Sequence, residues 1–409
     1  MKKFLPFWIF LVFFKFGAGL HYSLISPLGE KVLPIWIVGL IMGGGSIIQL
    51  ILDVPAGHLL DKYGYKRLLK ITTVIFLAAT LCYVVGLTRI TFIVSAIIAT
   101  FGWLFFGPGI NAYVLSHAPK EHSGKFISLR DVFGSIGTVL ASAVLPFILL
   151  FNPHNIGYIL FALLGVSLIA LFFAPNDTTL VHQEIKIPTQ HYYIKRESLI
   201  NIVREIKSLN PASTMLMLLN MSGAIFYGAI WFVVPLIIAH QADAKLLGIG
   251  LGIFDFAIVT LGFILGNLAD TANKRTLVFF GLLTFSISGL FIGFNFNLLF
   301  LLFGFLATTG DEMAGLSLWS WLHALDKNHA HDGRISGVIN LSQDLGWAIG
   351  PIVAGFLYYT VTPSITILLC SIPIFLTWLV YVYTTHSIIP LSADLKNISK
   401  MPHRTRHRH

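Results

Sequence analysis

Polar positions along this chain are scarce and bunched. Between them lie long apolar runs, near 4–26, 33–57, 68–88, 90–114, 126–151, 155–174, 212–239, 246–269, 276–295, 297–322, 335–360 and 363–385. Each is close to the roughly 20 residues an α-helix needs to cross the hydrocarbon layer. Lipid offers backbone N–H and C=O groups no partners, so the segments must satisfy them internally as helices. The pattern predicts an all-α membrane protein with twelve transmembrane helices. The first run carries Lys15 at its centre, lacks a small-x-small cleavage site and is followed by eleven more. It reads as a span and not as a removable leader.

Charges inside those runs are costly, about 2.5–3.5 kcal/mol at a helix centre on insertion scales, and are functional candidates by default. Asp255, Asp311, Glu312 and Asp344 lie near mid-span in the second half, and Lys15 does so in the first. Helical spacing assigns faces to them. On the fifth run Ser128, Asp131, Ser135, Thr138 and Ser142 form one polar stripe, beside a smaller-residue stripe of Arg130, Gly134, Gly137 and Ala141 suited to close packing. On the eleventh, Asn340, Gln343, Asp344 and Trp347 share a face. Adjacent residues point about 100° apart, so Asp311 and Glu312 cannot both enter one pocket. A carboxyl in a low-dielectric cavity can load a proton from one side and release it to the other. Asp311, Glu312 and Asp344 are the candidates for that work, with Asp255 behind them.

The runs are split six and six by a polar stretch between Pro175 and Pro211, which invites a search for a repeat. A shift of 209 positions aligns Gly19 with Gly228, Gly39 with Gly248, Gly43 with Gly252, Gly57 with Gly266 and Asp61 with Asp270. A shift of 213 then aligns Asp131 with Asp344, Gly137 with Gly350 and Ala141 with Ala354. A near-constant offset through several helices indicates duplication. The organisation it predicts is a bundle over 1–174, a central loop over 175–211, a second bundle over 212–389 and a basic tail over 390–409. Parallel repeats with a site between the halves at the midplane are a recurring transporter plan.

Composition narrows the class. Charged residues make up 11% of the chain and mean hydropathy is +0.81, against about 25% charged in soluble domains, so a soluble enzyme is excluded. The net charge of +9 suggests nucleic acid until it is mapped. With the N-terminus placed in the cytoplasm, 23 of the 27 Lys and Arg fall at cytoplasmic ends, which is the positive-inside pattern with both termini inside. The tail PHRTRHRH reads as a cytosolic end feature and not as a metal site. Cys82 and Cys370 sit within spans and imply neither a disulfide framework nor zinc. No cofactor is expected. Short loops and scarce cysteine point to a bacterial inner membrane.

The stretch GHLLDKYGYKR between the second and third runs resembles the G-x-x-x-D-x-x-G-x-[KR]-[KR] signature of the major facilitator superfamily. Gly57, Asp61, Gly64, Lys66 and Arg67 occupy its positions, and Asp53 begins the lead-in DVP. The partner stretch GNLADTANKR keeps Gly266, Asp270 and Arg275 and replaces the second glycine by Asn273. Asn tolerates left-handed backbone better than most residues, so that geometry is expected to persist there. The basic residues of the loop are expected to anchor it to the cytoplasmic leaflet. The resemblance implies that Asp61 latches the halves together in an outward-open state, and that a central cavity is lined by helices 1, 4, 7 and 10. On that analogy the cavity takes Lys15, Tyr22, Trp103, Asn220, Tyr227, Trp231, Glu312 and Trp319, with Asn340 and Gln343 from the adjoining face.

The implied function is secondary transport of a small organic solute by alternating access, coupled to protons, by a chain acting as a monomer in the lipid bilayer. Direction is less constrained. The family's antiporter motif is only fragmentary in the fifth run, FGSIGTVLAS, and fuller in the eleventh, GWAIGPIVAG. The helix-4 arginine of the family is missing. An aromatic cavity with acids still points toward efflux of amphiphilic compounds; the alternative is a proton-coupled importer of a metabolite. A polytopic membrane enzyme or a transporter-like sensor are further rivals. Against the enzyme, the sequence holds no H-E-x-x-H, G-x-S-x-G or phosphate-loop motif.

Overall fold

The computed structural model describes residues 2–117, 123–177, 211–240, 245–294, 298–325 and 332–388. These form twelve α-helices: α1 (Leu5–Glu30), α2 (Ile35–Tyr63), α3 (Tyr65–Val85), α4 (Arg89–His117), α5 (Ser123–Ile148), α6 (Pro153–Phe173), α7 (Pro211–His240), α8 (Lys245–Thr271), α9 (Lys274–Ile292), α10 (Leu298–Leu325), α11 (Asp332–Thr360) and α12 (Pro363–Ile388). Most of the predicted central loop and all of the tail, including its histidines, lie outside the described residues. Eleven of the helices are long and apolar enough to cross a membrane. The twelfth, α11, is diluted by its polar face, which carries Ser342, Gln343 and Asp344. It is held by protein instead, packing more extensively on α7 than any other pair of helices does, and next on α2.

Helix contacts repeat with a period of six. α1 packs on α5 and α6 as α7 packs on α11 and α12; α3 packs on α4 and α6 as α9 packs on α10 and α12. The duplication read from glycine spacing is therefore a duplication of packing, two pseudo-symmetric six-helix bundles. Among the eleven apolar helices, the first of each bundle is the innermost: α7 is the most buried and α1 the next. Two principal crossings join the bundles, α2 on α11 and α5 on α8, with a lesser contact of α1 on α7, and the six-helix shift converts one principal crossing into the other.

Glycine makes the crossings close. A Cβ on Gly39 would stand 2.5 Å from the Pro351 carbonyl oxygen and 3.1 Å from the Gly355 Cα, and one on Gly43 would run into the Ala348 carbonyl oxygen. At the second crossing a Cβ on Gly248 would meet the Pro146 ring at 2.5 Å. Helix ends are handled locally. Gly64 adopts φ +87° between α2 and α3, where an L side chain is strained. Asn152 caps α6 by accepting from the Asn155 N–H at 2.9 Å, with Pro153 in the first turn.

Candidate functional site

A cavity of about 830 Å³ lies between the bundles. It is walled by α1, α2, α4 and α5 on one side and by α7, α8, α10 and α11 on the other. Beyond one end of it stand the glycine crossings, and beyond these His240 Nε2 and Glu30 Oε2, at the last turns of α7 and α1, meet at 2.7 Å across the interface. That end is sealed. Toward the other end, which carries the N-terminus, the lining continues to Asn111, Arg130 and Asp131, where Asp131 is exposed. Among the described residues, the cavity opens there.

Its charges are unevenly divided. Lys15, Arg130 and Asp131 come from the first bundle; Asp255, Glu312 and Asp344 come from the second. Arg130 is neutralised locally, its guanidinium donating to Asp131 at 2.6 Å and to the Asn111 side-chain oxygen. Lys15 instead projects its ammonium over Trp103 and Phe106, 5.3 Å from each ring centroid, a cation–π arrangement. Asp255 accepts from Ser135 Oγ at 3.4 Å, which bridges α8 to α5. Asp344 of α11 stands close enough to Asp53 of α2 for the two carboxyls to feel each other electrostatically across the bundle interface.

Asp311 and Glu312 diverge as helical spacing requires. Glu312 lines the cavity, whereas Asp311 turns toward α7 and accepts from Tyr227 Oη at 3.1 Å. The Tyr227 ring stacks on Phe285 at 5.8 Å, inside the second bundle. Of the other residues assigned to the cavity, Lys15, Tyr22, Trp103, Trp231 and Gln343 line it. Asn220, Tyr227 and Trp319 do not, and the Asn340 side chain is outside the described residues. Tyr22 and Trp231, 209 positions apart, face each other across the interface with centroids 6.5 Å apart, and Trp347 lies 6.4 Å from Tyr22. The analogy with helices 1, 4, 7 and 10 missed the share of α2. Ser46 and Gln49 line the cavity and Asp53 lies just beyond. Their spacing of three and four was a readable stripe.

The loop motif is partly visible. The side chains of Gly57, Asp61 and Asp270, and with them the proposed latch, lie outside the described residues. Lys66 corrects the expectation of a lipid anchor. It is buried, and its ammonium donates to the carbonyl of Phe172 at 3.2 Å, to the carbonyl of Ala174 and to Asn176 Oδ1 at 2.9 Å. Orphan carbonyls at a helix C-terminus attract a cation for this reason. The Asp177 carboxylate returns the favour, accepting from the Lys66 N–H at 3.1 Å at the start of α3. Arg67 is exposed, over the Tyr63 ring at 5.8 Å. In the second copy Arg275 lies over Trp321 at 5.6 Å, and a Cβ on Gly266 would meet nothing within 4 Å. Asn273 is not left-handed: at φ −67° it caps α9, its side chain accepting from the N–H groups of Arg275 and Thr276.

Comparison with known proteins agrees with this geometry. The chain resembles the staphylopine export protein of Staphylococcus aureus (strain Mu50 / ATCC 700699), 22% identical over 143 residues; the match spans 35% of this chain and 35% of that protein. Similar solved structures include the nucleoside transporter NupG (TM-score 0.69, 14% identity, 94% of this chain and 99% of that one). The human organic anion transporter MFSD10 (TETRAN) follows at TM-score 0.63 and 13% identity, with 93% and 99% covered. A D-xylose-proton symporter matches at TM-score 0.62 and 15% identity, with 90% and 96% covered. At these identities the structures speak for the fold alone. The family model of the Major Facilitator Superfamily matches residues 4–351, so the chain belongs to that superfamily and is a membrane transporter, not an enzyme.

Proposed function

We propose that this chain exports an amphiphilic organic solute by alternating access, driven by inward proton flow. Residues 1–174 rock against 212–389 about the two glycine crossings. The observation that carries the reading is the position of Glu312, Asp255 and Asp344: all three come from the second bundle and line the cavity between the bundles. An acid in a space that faces each side of the membrane in turn can carry a proton across. Asp344 faces Asp53 of the other bundle, so moving the halves apart changes the charge environment of both acids. Asp311, bonded to Tyr227, is turned away from the cavity and stands behind Glu312 on α10. Because the basic ends mark the cytoplasmic face, the open end of the cavity faces the cytoplasm and both termini lie there. The setting is a bacterial inner membrane and the working unit is a monomer. Export accords with the partial likeness to the staphylopine export protein.

Proteoliposomes with an imposed pH gradient test this. Substrate accumulation is expected under one gradient polarity only, with about a tenfold loss or more for Glu312→Gln and for Asp344→Asn. Undiminished gradient-driven accumulation in both variants and in Asp255→Asn would overturn the proton assignment. Accumulation under the reversed polarity would make the chain an importer.

A further inference from the structure

We infer that the solute is a zwitterion, an amphiphilic molecule of dipeptide size that presents a carboxylate to Lys15 and a protonated amine to Glu312. The inference rests on the transport reading in one respect, that this cavity is where the solute binds. Two ion pairs occur among the described residues, Arg130–Asp131 and Glu30–His240. Neither uses Lys15 or Glu312. The Lys15 ammonium has aromatic faces beside it and no carboxylate bonded to it. Asp255 is within electrostatic reach of Lys15 but forms no ion pair with it and accepts from Ser135. The Glu312 carboxylate accepts no hydrogen bond among the described residues, whereas Asp131 and Asp255 each have a donor and Asp344 stands against Asp53. Lys15 and Glu312 thus stand without ion-pair partners on opposite walls of one space.

Ligand chemistry follows from that imbalance. A purely cationic solute would answer Glu312 and leave Lys15 desolvated; a purely anionic one would do the reverse. A buried charge left without a partner is strongly unfavourable, so both should be rejected relative to a molecule carrying both groups. The rest of the lining suits an apolar or aromatic body, with Tyr22, Trp231 and Trp347 edge to face and Trp103 beside Phe106. Lys15 and Glu312 stand on different bundles, so a solute that touches both also pulls the halves together. Binding and closure then draw on the same contacts.

The test is a matched trio: L-phenylalanyl-L-alanine, its N-acetyl derivative (carboxylate only) and its C-terminal amide (amine only). Binding to purified protein is read by quenching of the cavity tryptophans and by thermal shift. The free dipeptide is expected to bind at least about tenfold tighter than either analogue. Lys15→Gln should erase its advantage over the amide, Glu312→Gln its advantage over the acetylated form, and Lys15→Arg should preserve both. An analogue that binds as tightly as the dipeptide overturns the inference, and so does a dipeptide that fails to bind the wild type; neither outcome depends on a variant folding. If the predicted pattern appears but labelled dipeptide does not cross proteoliposomes, the transport reading falls and the zwitterion site stands.

Discussion

The crossings α2–α11 and α5–α8 occupy equivalent places in the two-bundle plan, yet they do different chemistry. At the sealed end both place glycine at the contact, Gly39 and Gly43 in one, Gly248 and Gly252 in the other, at the 209-residue offset, and of these only Gly252 has room for a methyl. Toward the open end the first holds a carboxyl pair, Asp53 with Asp344, and the second holds a hydroxyl on a carboxylate, Ser135 with Asp255. The repeat partner of Asp344 is Asp131, which pairs with Arg130; the repeat partner of Asp53 is Gly262. Backbone packing tolerates little change because neighbouring helices touch through it. Side chains facing a wet space can diverge freely. Symmetry here is a property of the scaffold, and the asymmetry is where function resides.

That contrast can be broken experimentally, beginning at the carboxyl pair. Asp344→Asn removes one of the two facing acids and should cut gradient-driven flux by about tenfold or more while leaving counterflow exchange largely intact. Ser135→Ala, at the equivalent crossing, should change flux less than about threefold, since one neutral hydrogen-bond donor is lost. Equal losses would show that the crossings are functionally alike. The glycines come next. Gly43→Ala drives a methyl into the Ala348 carbonyl and Ile352, whereas Gly252→Ala meets Val139 at an ordinary 3.4 Å. Overpacking costs typically about 1–3 kcal/mol, so the first variant should open the sealed end, read as labelling of a cysteine placed beyond it, and the second should not.

The two loop motifs give smaller effects of different origin. Gly64→Ala forces a side chain into φ +87°, at about 1–2 kcal/mol, and a Cβ there would stand 2.7 Å from the Asp177 carboxylate. A lower unfolding temperature with an Asp177→Ala background giving partial relief would support both causes. Asn273→Ala removes a cap worth about 1 kcal/mol, and Asn273→Gly only a few tenths. If the glycine variant were the worse of the two, the cap would not be the reason for asparagine there.

The spans and the repeat were legible in sequence because both are written in backbone requirements: apolar length for lipid, glycine where helices touch. Helical spacing also foresaw that Asp311 and Glu312 part company, although which of them met the cavity needed the fold. Partner choice was not legible. Nothing local says that Tyr227 spends its hydroxyl on Asp311, or that Lys66 turns inward to α6, because those contacts join residues 84 and more than 100 positions apart. Asn273 misled for a definite reason: the same side chain suits a left-handed turn and a helix cap, and only the backbone angle decides.

The reciprocal clasp between Lys66 and the end of α6 has a mechanical corollary. A rocking machine delivers torque only as far as its parts resist bending. By fastening the base of α3 to the last carbonyls of α6 and to Asp177, the chain stiffens the first bundle at the point where the polypeptide departs toward the second, so any pull arriving along that connection turns a whole lever and does not fray a single helix.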